Sequence, residues 1–313
     1  MTPMRARRDL LLAALAAPLI PCPALADILP RSDAVEVAPG LFVLPGVEEE
    51  ASRTNLNAIA NTGFVIGRDA VAVIDAGGSL PHGQRLRRAI EAVTPLPVRH
   101  LILTHVHPDH VLGAAGFADL APDVVGHARL PEALAVRHES YLRGLARDVG
   151  AAAMGSGALS PTRLVTDRLE LDLGGRVIEL HAHGPAHSHA DLSVVDRATA
   201  TLWCADLLFQ RHIPTLDGSL PGWIGTLAAL RSTPAARAVP GHGPPAVPWP
   251  AGADDTLRYL RALLDGARAA VAGGVGIGDA PSRVAVEEAA RWRLAELHHG
   301  RNVTTAYREL EWE

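Results

Sequence analysis

Hydrophobic residues in this sequence fall into short runs separated by turn residues, and this pattern predicts a mixed α/β protein. Apolar positions alternate up to Pro39-Gly40, and the run Leu41–Leu44 that follows predicts the second strand of a hairpin. A helical pattern at 83–93 then leads into a buried strand. The strands predicted in this first half lie at 35–37, 41–44, 57–66, 70–74 and 99–103.

The second half repeats the order of strands followed by helix. Its predicted strands lie at 169–173, 177–181, 192–195, 201–205 and 237–239, with a helical stretch near 223–230. No low-complexity linker or change in composition separates the two halves. We therefore predict one α/β domain of four layers at 27–313.

Between the halves, residues 131–149 show helical spacing and are followed by the small residues 151–157. This segment could form a mobile cover over a site. The alternative is a peripheral helix with a flexible exit, which is the commoner arrangement of such loops.

The first 26 residues differ from the rest and predict a secretory signal peptide. Basic residues precede the apolar run Leu10–Ile20, and Ala24 and Ala26 supply the small residues of a cleavage site. The pair Arg7-Arg8 is typical of twin-arginine export, so we expect a periplasmic protein. An apolar run of about 11 residues is too short for a membrane anchor.

Composition narrows the choice of partners. The chain has 48% hydrophobic and 20% charged residues, a net charge of −5 and no lysine. No nucleic-acid surface is indicated, and a small-molecule substrate is expected instead. Cys22 lies in the signal segment, where Pro21 argues against lipidation, so the exported chain keeps only Cys204 and no intrachain disulfide.

Candidate metal ligands are concentrated directly after the predicted strand 99–103. The segment Thr104–His110 reads Thr-His-Val-His-Pro-Asp-His, and it places four ligands within six residues: His105, His107, Asp109 and His110. Imidazoles two apart in an extended chain can project to the same side, and the last two residues sit where a helix begins. Imidazole and carboxylate ligands suit zinc.

A further ligand is expected from a histidine-rich segment near residue 185. Its four candidates are His181, His183, His187 and His189. The first two continue a strand that Gly184-Pro185 breaks, and a ligand that reaches over the sheet edge should follow the break. His187 is the first candidate beyond it, and His189 is the alternative.

The motif His-x-His-x-Asp-His after a strand resembles that of the metallo-β-lactamase-fold hydrolases, whose αββα sandwich matches the two halves. The resemblance extends over nearly the whole exported chain. It implies that Asp75 supports the ligand loop, although an aspartate before glycine can also simply form a turn. It also implies that Asp206 bridges two metals, that His242 is the last ligand, and that His187, in Gly-x-x-His-Ser, completes the first site.

Within that superfamily the sequence is most similar to the quinoprotein relay system zinc metallohydrolases, which are related to the SoxH proteins. The stretches that carry this similarity are 206–209, 216–223, 302–304, and Tyr307 with 309–313. The resemblance implies an association with a periplasmic quinoprotein dehydrogenase system that uses pyrroloquinoline quinone. Asp217, Ser219 and Trp223 are candidates for the substrate pocket, or else form a capped turn before a helix.

The predicted chemistry is hydrolysis at a site with two zinc ions, in which a shared hydroxide attacks an ester, thioester, lactone or lactam-like substrate. Asp109 is the candidate catalytic residue that orients the nucleophile and moves its proton. Two other classes remain open. One is an iron-dependent redox enzyme of the same fold, similar to persulfide dioxygenases, and the other is a noncatalytic periplasmic partner of a quinoprotein.

The export signal yields the first testable prediction. Replacing Arg7 and Arg8 by lysine should block export, because the arginine pair is the feature that the twin-arginine route recognises. Cell fractionation measures the effect, and N-terminal sequencing of the periplasmic form should begin at Asp27. Unimpaired export of the double variant, or a periplasmic chain that begins at Met1, would contradict the prediction.

Overall fold

Two β-sheets packed face to face form the centre of the fold, and helices cover their outer faces. The computed structural model describes residues 34–313, so the predicted signal segment 1–26 lies outside the described residues. This arrangement confirms the predicted α/β fold with αββα layers.

The first sheet has seven strands that lie side by side in chain order. They are β1 (Val35–Ala38), β2 (Leu41–Leu44), β3 (Thr62–Ile66), β4 (Val71–Ile74), β5 (Val98–Leu103), β6 (Asp123–His127) and β7 (Arg163–Val165). The first four strands pair antiparallel, whereas β4 to β7 are parallel. The carboxyl ends of β4 and β5 therefore meet at one edge.

The second sheet has six strands in the order β13-β12-β11-β10-β9-β8. They are β8 (Arg168–Asp172), β9 (Val177–Ala182), β10 (Leu192–Asp196), β11 (Thr201–Phe209), β12 (Arg237–His242) and β13 (Val247–Pro248). Only β11 and β12 pair in parallel. Their ends point to the same edge as the loop between β9 and β10.

Seven helices surround the sheets in the described chain. They are α1 (Leu80–Val93), α2 (Pro108–Val111), α3 (Leu130–Val149), α4 (Leu220–Leu230), α5 (Asp254–Ala272), α6 (Val286–Ala289) and α7 (Ala295–Leu310). Among residues 34–313, no helix combines the length and the apolar character that crossing a bilayer requires.

Three buried apolar clusters hold the layers together. One lies between the sheets, with Trp203 of β11 packed against Gly63 of β3, where an added Cβ would lie 2.7 Å from the indole. The second lies under α1 and α3, and the third under α4, α5 and α7. Each sheet thus buries both of its faces, which explains why its strands read as continuous apolar runs.

Two details of the sequence-based assignment are corrected. The strand predicted at 57–66 begins only at Thr62, because 53–57 form turns in which Asn57 has a φ of 59°. The side chain of Asn55 accepts hydrogen bonds from the backbone N–H groups of Ser52 and Asn57 and stabilises these turns. Strands β6 and β7, and the long helices α5 and α7, were not predicted.

The segment proposed as a cover divides into two parts. The middle of α3 faces the cavity described below. The small residues that follow are tied to the neighbouring loops instead: the N–H of Gly157 donates to the carbonyl of Leu112, and the hydroxyl of Ser156 accepts from the N–H of Leu80. Only the helix therefore lies over the candidate site.

The inter-sheet core yields a stability prediction. Trp203→Ala should lower the free energy of unfolding by about 3 to 5 kcal/mol, because it removes a large buried side chain and leaves a cavity. Trp312, which is 85% exposed, is the matched control, and Trp312→Ala should change stability by less than about 0.5 kcal/mol. Urea unfolding measures both. Equal effects of the two variants would contradict the packing described here.

Candidate metal centre

The first group of candidate ligands forms where β5 ends. His105 and His107 follow the strand, and His187 reaches the same place from the loop between β9 and β10. Nε2 of His187 lies 2.8 Å from Nδ1 of His107 and 3.3 Å from Oδ2 of Asp206. The ligand atoms of these four residues lie within 4.8 Å of one another. Three imidazoles and one carboxylate therefore converge on one point.

A second group lies directly beside the first. Asp109 and His110 lie in the short helix α2, and His242 is the last residue of β12. Their ligand atoms also lie within 4.8 Å of one another, and Oδ2 of Asp109 is 3.3 Å from Nε2 of His242. The groups come from both sheets, so the site depends on the packing of the whole sandwich.

Asp206 stands between the two groups. Its Oδ1 lies 3.0 Å from Nε2 of His110, and its Oδ2 lies 3.4 Å from Nε2 of His242 and 3.7 Å from Nε2 of His105. Its side chain is 3% exposed. A carboxylate in this position can give one oxygen to each of two ions.

Unpaired buried atoms show that the site fits metal ions. Nε2 of His105, Nε2 of His110 and Oδ1 of Asp206 are all buried and make no hydrogen bond within the described chain. Leaving such atoms without partners costs about 1 to 3 kcal/mol each. Because all three face the same small space, bound cations are the partners that this donor set favours.

Each of the five histidines is oriented by its other ring nitrogen, which hydrogen-bonds outside the cluster. The pairs are His105 Nδ1 with Thr104 Oγ1, His107 Nε2 with Asp217 Oδ2, His110 Nδ1 with Asp75 Oδ2, His187 Nδ1 with the Thr215 carbonyl, and His242 Nδ1 with the Ile59 carbonyl. These outer bonds fix the tautomer, so His107 presents Nδ1 to the centre and the other four present Nε2.

Asp75 supports the ligand loop through three hydrogen bonds. Its Oδ1 accepts from the N–H of Thr104 at 2.8 Å, and its Oδ2 accepts from the Thr104 hydroxyl and from His110. The side chain is fully buried, and φ is 58°, a left-handed conformation that turns the carboxylate toward the loop. The alternative of a simple turn-forming aspartate does not account for these contacts.

The electrostatics of the two groups differ. Burial lowers the pKa of His187 to about 3, so its imidazole is neutral and offers a lone pair. Burial also opposes charge on His242, yet Asp206 and Asp109 outweigh it and raise the pKa of His242 to about 9. The carboxylates thus stabilise positive charge at the second group, which favours a divalent cation there.

Strand β11 bends to aim Asp206 at the centre. Ala205 has a φ of 46°, and the pairing of β11 with β12 shifts on either side of it. Glycine would adopt that conformation with less strain than alanine. Across the sheet, a Cβ on Gly241 would lie 1.8 Å from Oδ1 of Asp206, so only glycine permits this approach.

A single loop orients two of the histidines. Thr215 and Asp217 contact the rings of His187 and His107, and the N–H of Asp217 donates to the His187 carbonyl at 3.1 Å. Asn302 on α7 holds this loop, since its Oδ1 accepts from Leu216 N–H at 2.9 Å. Residues 216–223 and 302–304, which both carry the subfamily resemblance, therefore contact each other next to the candidate ligands.

An open cavity of about 580 Å³ exposes the centre to solvent. His107, Asp109, Asp206 and His242 line its floor. The polar residues around them that sequence reasoning missed include Glu50, Arg137, Tyr141, His212, His298 and Arg301. These residues are isolated along the chain and carry no motif, so only the folded arrangement identifies them.

The structure separates the remaining candidates. Of the three residues proposed for the pocket, only Asp217 lines the cavity. The hydroxyl of Ser219 caps α4, and Trp223 is fully buried with its indole N–H donating to the Leu207 carbonyl. The helix-capping alternative is therefore correct for Ser219.

The other histidines of the 181–189 segment point elsewhere. His189 is exposed, and Nε2 of His183 lies 2.8 Å from the Ser193 hydroxyl, away from the centre. His181 lies near Glu179 on β9. Cys204 is fully buried in the apolar layer between β11 and the helices, and burial raises the pKa of its thiol, so it offers no thiolate to the centre.

This sandwich, with candidate ligands at the edge where the strands of both sheets end, is the arrangement of a metal-dependent α/β protein. A family model of the metallo-beta-lactamase superfamily matches residues 57–242, which include every candidate ligand. The chain belongs to this superfamily.

The individual proteins that the chain resembles have low sequence identity to it. The chain is 26% identical over 213 residues to the 2,4-dinitroanisole O-demethylase subunit alpha of Nocardioides sp., a match that covers 64% of this chain and 60% of that protein. The sec-alkylsulfatase of Pseudomonas sp. has a similar structure, with a TM-score of 0.69 and 16% identity over 88% of this chain and 50% of the other. A metallo-beta-lactamase from Pontibacter korlensis has a TM-score of 0.58 and 17% sequence identity, and the match covers 73% of this chain and 98% of the other.

The geometry predicts which histidine binds metal in the 181–189 segment. His187→Ala should lower metal affinity by at least about tenfold, because it removes one of three imidazoles from the first group. His189→Ala is the matched control and should leave the metal content unchanged, since that side chain is exposed. Metal analysis after dialysis measures both. Loss of metal in the His189 variant alone would show that the assignment is wrong.

Asp217 yields a second prediction about the ligands. Asp217→Asn should weaken metal binding at the first group by about 10- to 100-fold. An amide holds the His107 ring less firmly than a carboxylate does, and it excludes the wrong tautomer of that ring less strongly. Competition with a chelating dye measures the affinity. Asp172→Asn, at the exposed end of β8, is the control, and equal affinities of the two variants would remove Asp217 from this role.

Proposed function

We propose that this chain is an exported dinuclear zinc hydrolase that acts on a small molecule. The position of Asp206 between two groups of buried ligands, at the floor of an open cavity, is the observation that carries the proposal. His105, His107 and His187 would hold one ion, and Asp109, His110 and His242 the other. Imidazole and carboxylate donors suit zinc, and the donor set contains no thiolate.

When bound, two such ions would polarise a substrate oxygen and bring the pKa of a water toward neutrality. The protein supplies the rest of the chemistry. Asp109 lines the cavity. Burial raises the pKa of its carboxyl group, but His110 and His242 lower that pKa by a larger amount, so the carboxylate is ionised. An ionised carboxylate there can orient an attacking water and accept its proton.

The opposite wall holds polar groups that can meet the leaving group. Nε2 of His298 lies 2.7 Å from Oε1 of Glu50, and both side chains line the cavity. These two side chains can hydrogen-bond a departing group. The cavity therefore offers a proton acceptor at its floor and polar contacts for the leaving group at its rim.

An ester, thioester, lactone or lactam fits this chemistry, and the relatives widen the range. One is named as an O-demethylase and another as a sec-alkylsulfatase. Because the match covers 60% of the first and 50% of the second, their activities enter here only as candidate classes. We also infer a periplasmic location and a link to a quinoprotein dehydrogenase system, which the resemblance of the 206–223 and 302–313 stretches supports.

Metal analysis combined with a hydrolysis panel tests the proposal. The purified protein should contain two zinc ions and hydrolyse at least one nitrophenyl ester, thioester, lactone, lactam or alkyl sulfate. Asp206→Ala should lose at least one ion and reduce the rate by about 100-fold or more, because the shared oxygens disappear. Cys204→Ala, at a buried position two residues before Asp206, is the control and should retain both ions.

Three results would contradict the proposal. Iron together with oxygen consumption would favour the redox class. Two bound ions with no turnover of any substrate would favour a noncatalytic partner. Full activity and full metal content in the Asp206 variant would remove that residue from the bridge.

A further inference from the structure

Two arginines approach the candidate metal centre from opposite helices. Arg137 on α3 and Arg301 on α7 both line the cavity, and both face Asp217. Nη1 of Arg137 donates to Oδ2 of Asp217, and Nη2 of Arg301 lies 3.7 Å from Oδ1 of the same carboxylate. The oxygen that Arg137 contacts also accepts from His107, at 3.0 Å. Both guanidinium groups thus contact Asp217, and Asp217 in turn contacts the ring of His107, whose Nδ1 faces the candidate metal centre.

The charges in this part of the cavity do not balance. Asp217 is a single carboxylate facing two guanidinium groups, so it neutralises only one of them. The other carboxylates that line the cavity, Glu50, Asp109 and Asp206, lie against histidines and contact neither arginine. Two guanidinium groups therefore share one carboxylate beside the centre, and bound metal ions would add positive charge there.

The two guanidinium groups also have N–H donors that are not used by the described residues. Arg137 uses Nη1 for Asp217 and for the Tyr141 hydroxyl at 3.3 Å, and these bonds fix the plane of its guanidinium group. Its Nε and Nη2 make no hydrogen bond with the described residues. Arg301 makes only the long contact with Asp217 there, and its side chain is 68% exposed. A guanidinium held in place with free N–H donors is suited to bind a carboxylate or another oxyanion.

We propose that Arg137 and Arg301 form an oxyanion subsite, so that the substrate carries a carboxylate or similar anionic group apart from the bond that is cleaved. Arg137 is the fixed contact, and Arg301 closes on the anion from the rim. The proposal rests on the hydrolase function only in assuming that the substrate also has a bond to be cleaved at the metal centre, because binding at this subsite requires no turnover.

Binding of simple carboxylates to the zinc-loaded protein tests the subsite. A monocarboxylate can occupy the metal centre alone, whereas an α,ω-dicarboxylate of suitable length can contact the metals and the arginines together. We compare glutarate, adipate and suberate with the monocarboxylates of equal carbon number by isothermal titration calorimetry. At least one dicarboxylate should bind about tenfold more tightly than its partner, since charge-assisted hydrogen bonds have this strength.

Variants of the two arginines, with a control on α7, test which side chains cause the preference for a dicarboxylate. Arg301→Gln should abolish most of the preference for the dicarboxylate while retaining the zinc content. Arg308→Gln is the matched control, because Arg308 is exposed on α7 and lies outside the cavity. The preference in this control should equal that of the native chain. Arg137→Lys keeps the charge but loses the planar fork, and should also reduce the preference.

Two outcomes would overturn the subsite: equal affinities within every pair of acids, or an unchanged preference in Arg301→Gln. The test is independent of the hydrolase proposal. A protein that hydrolyses nothing but keeps the arginine-dependent preference retains the subsite and loses the proposed function. An active hydrolase that shows no preference does the reverse.

Discussion

The structure depends on placing five histidines and two aspartates, most of them buried, at the floor of one open cavity. Burial of so many polar atoms is costly unless they have partners, and three of them, in His105, His110 and Asp206, have none within the described chain. The outward-facing nitrogens are all hydrogen-bonded, so the unpaired atoms point only inward. An arrangement that satisfies every group except those at one point has the geometry of a candidate preorganised cation site.

Holding that arrangement requires both sheets and a strained backbone. Ligands arrive from the ends of β5 and β12, from the middle of β11 and from a hairpin loop, so no single element forms the site. Asp75 and Ala205 adopt left-handed conformations that cost energy for residues other than glycine. Such strain persists where packing fixes the backbone, and here it aims one supporting carboxylate and one candidate bridging carboxylate.

The candidate ligands could be predicted from the sequence because their signal is local. The spacing of His105 to His110 after an apolar strand is a property of seven consecutive residues, and the Gly184-Pro185 break made His187 the first histidine beyond the strand. The cavity wall could not be predicted in this way. Arg137, His298 and Arg301 lie on helices whose outward positions normally carry charged residues, so nothing in their local pattern distinguishes them. The start of β3 was misplaced because asparagine side chains, rather than apolar periodicity, determine the turns before it.

Anomalous diffraction from crystals of the zinc-loaded protein, measured above and below the zinc edge, tests directly whether Asp206 joins two metal ions in one centre, as proposed. We expect two peaks roughly 3.5 to 4 Å apart. One peak should lie among His105, His107 and His187, the other should lie among Asp109, His110 and His242, and each should contact an oxygen of Asp206. A single peak, or two peaks of which only one contacts Asp206, would show that this carboxylate does not bridge two ions.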